Sequence, residues 1–225
     1  MTFYGNYAES FDPQSGVTAA GDPVAPQEGE QWEFGAKAEL LAGDLIVSVA
    51  WFDLENRNVA VSDPDNPGAV VAVGQQRNEG LELELVGRIA PNLQARAQYA
   101  YSDSATVGDP ARAGNELQLT PADSASAWLR YDVPGALWDS SRVVLTGGVV
   151  YVGDRFVDVD NSIELSAYTR VDLGARLHVG ERTEVALDLL NAGDQRYFTG
   201  GNAFGLGSVL PGQTRTLALT LRHRL

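Results

Sequence analysis

The chain lacks cysteine and long apolar runs, and it has few basic residues for its number of acidic ones. Without cysteine, disulfides, thiolate metal sites and cysteine nucleophiles are excluded. No stretch approaches the roughly 20 consecutive apolar residues that a transmembrane helix needs. Among 225 residues, 30 are acidic and 16 are Lys or Arg, for a formal net charge of -14. That balance argues against a nucleic-acid partner, because phosphate neutralisation needs clustered Lys and Arg.

Strict alternation of apolar and polar residues is the main signal that is present. The clearest run is Leu81–Leu85, in which leucines alternate with glutamates. A period of two predicts a strand whose two faces meet different environments. Similar runs occupy 93–102, 168–177, 182–189 and 216–222, with Arg, Glu and Asp repeated on the polar side. Alternation alone fits a soluble β-sandwich, with the apolar face inward, as well as a membrane β-barrel, with the apolar face outward.

The lengths of the connections favour the barrel. About ten strands are predicted, at 2–10, 30–41, 44–62, 69–89, 92–103, 122–133, 142–153, 163–178, 182–192 and 213–225. Tight turns such as Ala42-Gly43 and Ala90-Pro91 alternate with long Gly-, Pro- and Asp-rich segments at about 11–29, 104–121, 154–162 and 193–212. Short turns at one rim and long loops at the other are typical of outer-membrane barrels, in which the short turns are periplasmic.

Aromatic residues support a membrane placement. Five of them lie in predicted strands, where interfacial aromatic belts would place them: Trp51, Tyr99, Tyr101, Tyr131 and Tyr151. Trp128 belongs to the polar set of its strand, so it is predicted to face the lumen.

Seven segments, in the same order along the chain, resemble motifs of the TonB-dependent siderophore receptors. They are FYGNYAESFDP at 3–13, QWEFGAK at 31–37, QRNEGLELE at 76–84, YVGDR at 151–155, YTRVD at 168–172, LNAGDQRY at 190–197 and PGQTRT at 211–216. Receptors of this family usually end in an aromatic residue, whereas this sequence ends in Leu225.

The resemblance implies an all-β fold: an antiparallel transmembrane β-barrel of 22 strands closed around a plug domain. Residues 1–225 would be the C-terminal part of that barrel, about ten strands, with the plug and the earlier strands absent. No signal peptide is visible at Met1, which suggests that this is not the true start of an exported protein. The implied function is ferric siderophore uptake across the outer membrane of a Gram-negative cell. Outer-membrane lipid, the plug, the remaining strands and the TonB complex are the implied partners.

Ligand contact is expected from aromatic and cationic side chains of the long loops, because siderophores are often anionic or aryl-bearing. The candidates are Phe11, Arg155, Phe156, Tyr197, Phe198 and Phe204. Apart from the ferric siderophore as cargo, no cofactor is expected. Asp158-Val159-Asp160-Asn161 offers alternating oxygens that suit calcium, but the rest of a calcium loop is missing, so a plain acidic loop is the preferred interpretation.

No enzymatic activity is expected, since no nucleophile elbow, zinc motif or Ser-His-Asp set is present. His178 and His223 are expected at the short-turn rim. Two alternatives remain open at this point. One is a self-contained ten-stranded outer-membrane barrel, an enzyme or an adhesin, and the other is a soluble β-sandwich binding module.

Overall fold

The computed structural model describes residues 1–63, 65–66, 68–109, 111–135, 137–138, 141–202 and 208–224. Within these residues the regular secondary structure is β-strand apart from one 3-10 turn at Leu41–Gly43, and no helix among them is long and apolar enough to cross a membrane. The strands are β1 (Thr2–Asp12), β2 (Gln27–Leu40), β3 (Leu45–Ser62), β4 (Val70–Ala90), β5 (Leu93–Thr106), β6 (Asp123–Asp132), β7 (Ser141–Val152), β8 (Arg155–Phe156), β9 (Glu164–Leu165), β10 (Tyr168–Val179), β11 (Thr183–Leu190), β12 (Phe198–Asn202), β13 (Ser208–Pro211) and β14 (Thr216–His223).

Ten of these strands form one antiparallel sheet in the order β1-β2-β3-β4-β5-β6-β7-β10-β11-β14. The prediction of about ten antiparallel strands is therefore confirmed. β8 with β9 and β12 with β13 form two small hairpins inside long loops, and the sequence did not predict them. The predicted strand at 163–178 is wrong at its start. Glu164 and Leu165 pair with β8, and the backbone N–H of Ala167 donates to Asp154 before β10 begins.

The two faces of the sheet are arranged in the opposite way to those of a soluble protein. Leu217, Leu219 and Leu221 on the apolar face are 67%, 73% and 71% exposed. Val144 and Ala186 lie opposite Arg176 on the polar face, and both are buried. The polar face is therefore the enclosed one. In the described part of the chain no second large sheet covers the apolar face, so the sandwich alternative is wrong.

The apolar face carries the predicted aromatic residues. Tyr99 and Tyr101 lie opposite Leu83 and Leu81, and Trp51 also lies opposite Leu81. On the first three strands, Tyr7, Trp32, Phe34 and Trp51 form a continuous aromatic row, with ring centroids 4.6 to 6.1 Å apart. Such a row of amphipathic rings suits the boundary between hydrocarbon and headgroups.

Beyond this row, towards the long loops, the same face becomes charged. Arg57 pairs with Glu30 at 3.0 Å and with Glu55 at 2.8 Å, and Arg77 pairs with Asp53 at 2.9 Å. β3 and β4 are 18 and 21 residues long. A tilted strand needs only about 9–11 residues to span a bilayer. These two strands therefore extend past the apolar band at their long-loop ends.

Trp128 lies on the polar face, as predicted, opposite Arg96 and Gly148. Its indole covers Gly148 so closely that a Cβ at that position would overlap the ring. Gly147 faces the other way, and a Cβ there would lie 3.5 Å from Leu173 Cδ2, an ordinary contact. Glycine is therefore required at 148 by close packing, but not at 147.

This difference gives a first testable prediction. Gly148→Ala is expected to destabilise the protein by about 1–3 kcal/mol, because the indole must leave its position. Gly147→Ala, the matched control, is expected to change the free energy of unfolding little. Urea unfolding in detergent micelles, followed by tryptophan fluorescence, measures both. Equal effects of the two substitutions would show that contact with the Trp128 indole is not what requires glycine at position 148.

Candidate functional site at the long-loop rim

Two long loops, 107–122 and 153–167, are joined directly to each other at one rim of the sheet. Asn161 Oδ1 accepts a hydrogen bond from the backbone N–H of Glu116 at 2.8 Å, and Asn161 Nδ2 donates to the Glu116 carbonyl at 3.1 Å. Arg112 pairs with Asp109 at 2.9 Å and with Asp160 at 2.6 Å. The two loops are therefore bonded to each other and form one connected surface.

Asp158 organises the second of these loops. Its Oδ1 accepts from the backbone N–H groups of Ile163 at 2.9 Å and Ser162 at 3.0 Å, and its Oδ2 accepts from the Ser162 hydroxyl at 2.8 Å. Burial acts to raise the pKa of Asp158, but these hydrogen bonds outweigh it, so the pKa lies below its ordinary value of 3.8. Asp158 is engaged in this way and Asp160 is held by Arg112, an arrangement that favours a plain acidic loop over a calcium site at residues 158–161.

The loop pair is expected to open only in acid. A hydrogen bond from the backbone N–H of Ala111 also holds the pKa of Asp109 below its ordinary value of 3.8. A carboxylate with a depressed pKa contributes stability that is present above the ordinary value and is lost as pH falls through the folded value. Pepsin should therefore leave both loops intact at pH near 5 and should cut them once the pH is well below 3.8.

Asp158→Asn is the informative variant for this prediction. The amide keeps the size of the side chain but removes its negative charge, and it brings an N–H group towards the Ser162 hydroxyl that donates to Oδ2 of Asp158. Its loops should already be cut at pH near 5. If this variant resists pepsin as well as the parent does, the Asp158 turn does not hold the loop.

A stack of arginine and aromatic rings lies beneath the loops. The Arg155 guanidinium lies 5.6 Å from the ring centroid of Tyr168, and Tyr168 stacks on Tyr197 at 4.2 Å. Arg155 also donates to the Phe198 carbonyl at 2.7 Å, which joins the β8 loop to β12. Gly212 completes the stack, because any side chain there would overlap the Tyr197 ring.

Asn191 connects this stack to the sheet. The residue is fully buried. Its Nδ2 donates to the carbonyls of Gln195 at 2.8 Å and Gln213 at 2.9 Å, and its Oδ1 accepts from the backbone N–H of Gln195 at 2.9 Å. Its own backbone N–H donates to Asp172 Oδ1 at 2.8 Å. Asn191 therefore holds both ends of the last long loop against β10.

The predicted ligand residues are only partly brought together. Arg155, Phe156, Tyr197 and Phe198 meet in the stack and its neighbouring hairpins, but Arg155 and Tyr197 are buried within it. Phe198 is 43% exposed. Phe11 lies apart from them near the end of the edge strand β1, opposite Glu28 and on the same face as Trp32. Phe204 lies outside the described residues. Their positions alone do not test ligand contact, so the role of these six residues in binding stays a prediction.

Sequence reasoning missed the roles of Tyr168, Asp172 and Asn191. All three lie in segments whose likeness to the receptor motifs was noted, YTRVD and LNAGDQRY. The likeness was a signal that these residues matter, but it did not show that the two segments contact each other.

The polar face of the sheet carries cross-strand ion pairs. Arg176 pairs with Asp188 at 3.2 Å, and Arg96 pairs with Glu84 at 3.3 Å. Glu33 and Glu82, also on this face, have no ion-pair partner within the part of the chain that the structure describes. These two carboxylates are therefore available to groups on the enclosed side of the sheet.

The histidines lie at the short-turn rim, as predicted. His178 is on the polar face, with Nδ1 3.7 Å from Glu184, and His223 is on the apolar face, 2.9 Å from the Thr183 hydroxyl. Among the described residues, no group of three or more acidic or histidine side chains is arranged to hold a metal ion.

Comparison with known proteins assigns the family. The family described as TonB dependent receptor-like, beta-barrel matches residues 1–192. The chain belongs to this family. Since the family comprises receptors, the expectation that the chain is not an enzyme is confirmed, and the enzyme alternative is not favoured.

Individual receptors are similar over nearly the whole chain. The metal-pseudopaline receptor CntO of Pseudomonas aeruginosa is 33% identical over 220 residues, which are 97% of this chain and 30% of the receptor. The ferrioxamine B receptor of Salmonella typhimurium is 29% identical over 89% of this chain and 29% of its own length. The crystal structure of the siderophore receptor PiuA from Acinetobacter baumannii matches with a TM-score of 0.83 at 25% identity, covering 98% of this chain and 33% of PiuA.

The chain thus spans about a third of the length of the receptors it matches. This share fits the predicted fold, a ten-stranded portion of a larger TonB-dependent receptor barrel. Within the ten-stranded sheet, β1 has only β2 as a neighbour and β14 has only β11, so the described strands do not close on one another. The self-contained ten-stranded barrel is therefore not the arrangement observed.

Proposed function

We propose that this chain is the C-terminal barrel part of an outer-membrane receptor that takes up a ferric siderophore, with energy supplied through TonB. The observation that carries the proposal is the large sheet with its apolar face exposed and its charged face enclosed, in a chain of this receptor family. An exposed face of leucines is stable in hydrocarbon, whereas in water it would drive aggregation.

The edges of the sheet support a larger barrel. In hydrocarbon no water can satisfy unpaired backbone N–H and C=O groups, so open edges are not tolerated there. β1 and β14 each present one such edge. We therefore propose that further strands of the full receptor pair with both, and that residues 1–225 alone would aggregate or oligomerise without transporting anything.

The enclosed face supports a plug partner. Glu33 and Glu82 are two carboxylates without an ion-pair partner among the described residues, and they face the lumen side of the sheet. A carboxylate is stabilised by a cationic group that forms charge-assisted hydrogen bonds with it. A plug domain that presents Arg or Lys to this wall would satisfy both residues.

The names of the related receptors support the proposed class of cargo. Those receptors are named for metal-pseudopaline, for ferrioxamine B and for siderophores in general. These names share a metal chelate, so a ferric siderophore is the proposed cargo, with no resident cofactor. Within the loops, the exposed Phe198 is the most accessible of the proposed contacts near the stack, and Phe156, Arg155 and Tyr197 would support it from below.

Uptake of radioactive iron tests the proposal. The full-length receptor would be expressed in a Gram-negative strain that lacks its own siderophore receptors, and ⁵⁵Fe-loaded siderophores of the hydroxamate, catecholate and carboxylate classes would be offered in turn. Saturable accumulation that disappears in a tonB-deficient strain is the expected result. Accumulation that persists without TonB, or no accumulation of any chelate by a receptor correctly inserted in the outer membrane, would overturn it.

A further inference from the structure

Most arginines of the chain pair with a carboxylate among the described residues, and three of the five that form no such pair lie at one rim of the sheet. Ten of the 15 arginines form an ion pair among the described residues. The five without one in that part of the chain are Arg142, Arg155, Arg182, Arg196 and Arg224. Arg142, Arg182 and Arg224 belong to the short-turn rim, near the ends of β7, β11 and β14.

From this cluster we infer a docking site for an acidic polypeptide segment at the short-turn rim. The site, called here the basic rim, comprises Arg142, His178, Arg182, Glu184, Arg222 and Arg224. It rests on the fold and on charge alone, so it stands whether or not the proposed siderophore uptake is correct.

Strand register places the basic rim on the enclosed face. His178 lies opposite Arg142 on β7 and opposite Glu184 on β11, and Glu184 lies opposite Arg222 on β14. Residues directly opposite one another in antiparallel strands share a face. This is the face of Arg176 and Asp188, on the lumen side of the sheet.

Positive charge exceeds negative charge within the basic rim. Glu184 is shared between His178 at 3.7 Å and Arg222 at 3.5 Å, so a single carboxylate serves two partners. Arg142 lies 3.2 Å from His178 Nε2, and because a guanidinium can only donate, this nitrogen accepts. Arg142 forms no ion pair among the described residues, although the Asp132 carboxylate, which pairs with Arg130, also lies near it.

A cavity of about 210 Å³ lies within the basic rim, lined by Arg182, Arg222 and Arg224 together with Glu181 and Glu184. Three arginines thus line one cavity with two glutamates, in a chain whose net charge is -14. A guanidinium matches a carboxylate with two parallel hydrogen bonds, which favours carboxylate side chains as the occupants.

An acidic polypeptide suits this position better than a lipid headgroup. The lipid-facing side of the same rim carries Val179, Leu221 and the Thr183–His223 pair, with no Arg, Lys, Asp or Glu among them. A lipid headgroup would contact the lipid-facing side. The basic rim faces the lumen and would contact a group that enters the lumen from the short-turn end. A segment rich in Asp and Glu is the partner whose charge complements it.

Binding of a fluorescein-labelled octaglutamate peptide tests the inference. The probe would be titrated into the full-length protein in non-ionic detergent, with fluorescence anisotropy as the readout. The variant Arg182→Gln/Arg222→Gln/Arg224→Gln should bind about tenfold more weakly or worse, on the scale of charge-assisted pairs. The charge-matched control is Arg57→Gln/Arg77→Gln/Arg215→Gln, at exposed arginines away from this rim, and it should keep its affinity within about twofold.

A second variant is expected to raise the affinity for the peptide, a change that misfolding would not produce. Glu184→Gln removes the carboxylate that Arg222 and His178 share, so it should strengthen octaglutamate binding. Absence of saturable binding, equal affinity in the two triple variants, or weaker binding by Glu184→Gln would each overturn the inference. Loss of peptide binding in nanodiscs of phosphatidylglycerol, but not in those of phosphatidylcholine, would identify a lipid headgroup as the occupant and would also overturn it.

Discussion

Replacing Leu219 with arginine is expected to destabilise the folded protein in a bilayer by roughly 2–4 kcal/mol, the penalty for a basic side chain at the lipid-facing midplane of a barrel. Leu219 is 73% exposed and lies between Leu217 and Leu221 on the apolar face of β14. In a water-soluble protein the same exposed leucine would accept arginine with little change, usually within about 0.5 kcal/mol. Urea unfolding of the full-length protein in phosphatidylcholine liposomes measures the difference.

Thr220→Arg is the matched control for Leu219→Arg. Thr220 is the next residue on the same strand, is also exposed, and lies opposite Ala186 on the polar face. An arginine there stays on the enclosed, hydrated side, so a much smaller effect is expected. Comparable destabilisation by both substitutions, or by neither, would contradict the assignment of the apolar face to lipid.

Asn191→Asp is expected to detach the last long loop from the sheet. The substitution keeps Oδ1 but replaces the amide that donates to the Gln195 and Gln213 carbonyls with an oxygen. It also places a second carboxylate beside Asp172, which accepts from the backbone N–H of residue 191. Each buried carbonyl left without a donor costs about 1–3 kcal/mol, so a loss of several kcal/mol is expected from this single change.

Limited proteolysis of the full-length protein in detergent measures this effect at residues 191–215. Aspartate tolerates the left-handed backbone of Asn191, whose φ is 49°, so backbone strain does not confound the result. Asn92→Asp, in an exposed turn and without a side-chain hydrogen bond among the described residues, serves as the control. If the loop of the Asn191→Asp protein is cut no faster than that of the control, Asn191 does not anchor it.

The sheet could be predicted because its determinants are local. Leu81–Leu85 and Leu217–Leu221 reveal their two faces through a period of two, and tight turns such as Ala90-Pro91 separate long runs of this kind. Which face meets lipid was ambiguous from alternation alone, and loop lengths favoured the barrel. The exposed leucines of β14 and the buried Val144 opposite Arg176 then confirmed it.

The candidate site could be predicted only in part. Arg155 and Tyr197 stood out as a cation and an aromatic in long loops, the types that bind anionic or aryl ligands. The structure buries both in a stack with Tyr168, which was not singled out. Whether a loop residue is buried depends on which loops fold over which strands. The type of the residue does not predict this. The small hairpins at β8–β9 and β12–β13 were missed for a related reason, since strands this short show no period.

The sequence by itself determined the class of this protein: about ten antiparallel strands, two chemically different faces, short turns at one rim and long loops at the other. These features follow from the backbone period and from turn residues, which act between near neighbours in the chain. Only the tertiary structure decided how the loops join at Asn161 and Asn191 and how the basic rim gathers arginines from β7, β11 and β14. Several of those contacts connect residues far apart in the chain, for example Asn191 with Gln213, 22 positions away, and Glu116 with Asn161, 45 positions away. They form because the pairing of neighbouring strands brings distant side chains within hydrogen-bonding distance, and no periodic pattern in the sequence records that geometry.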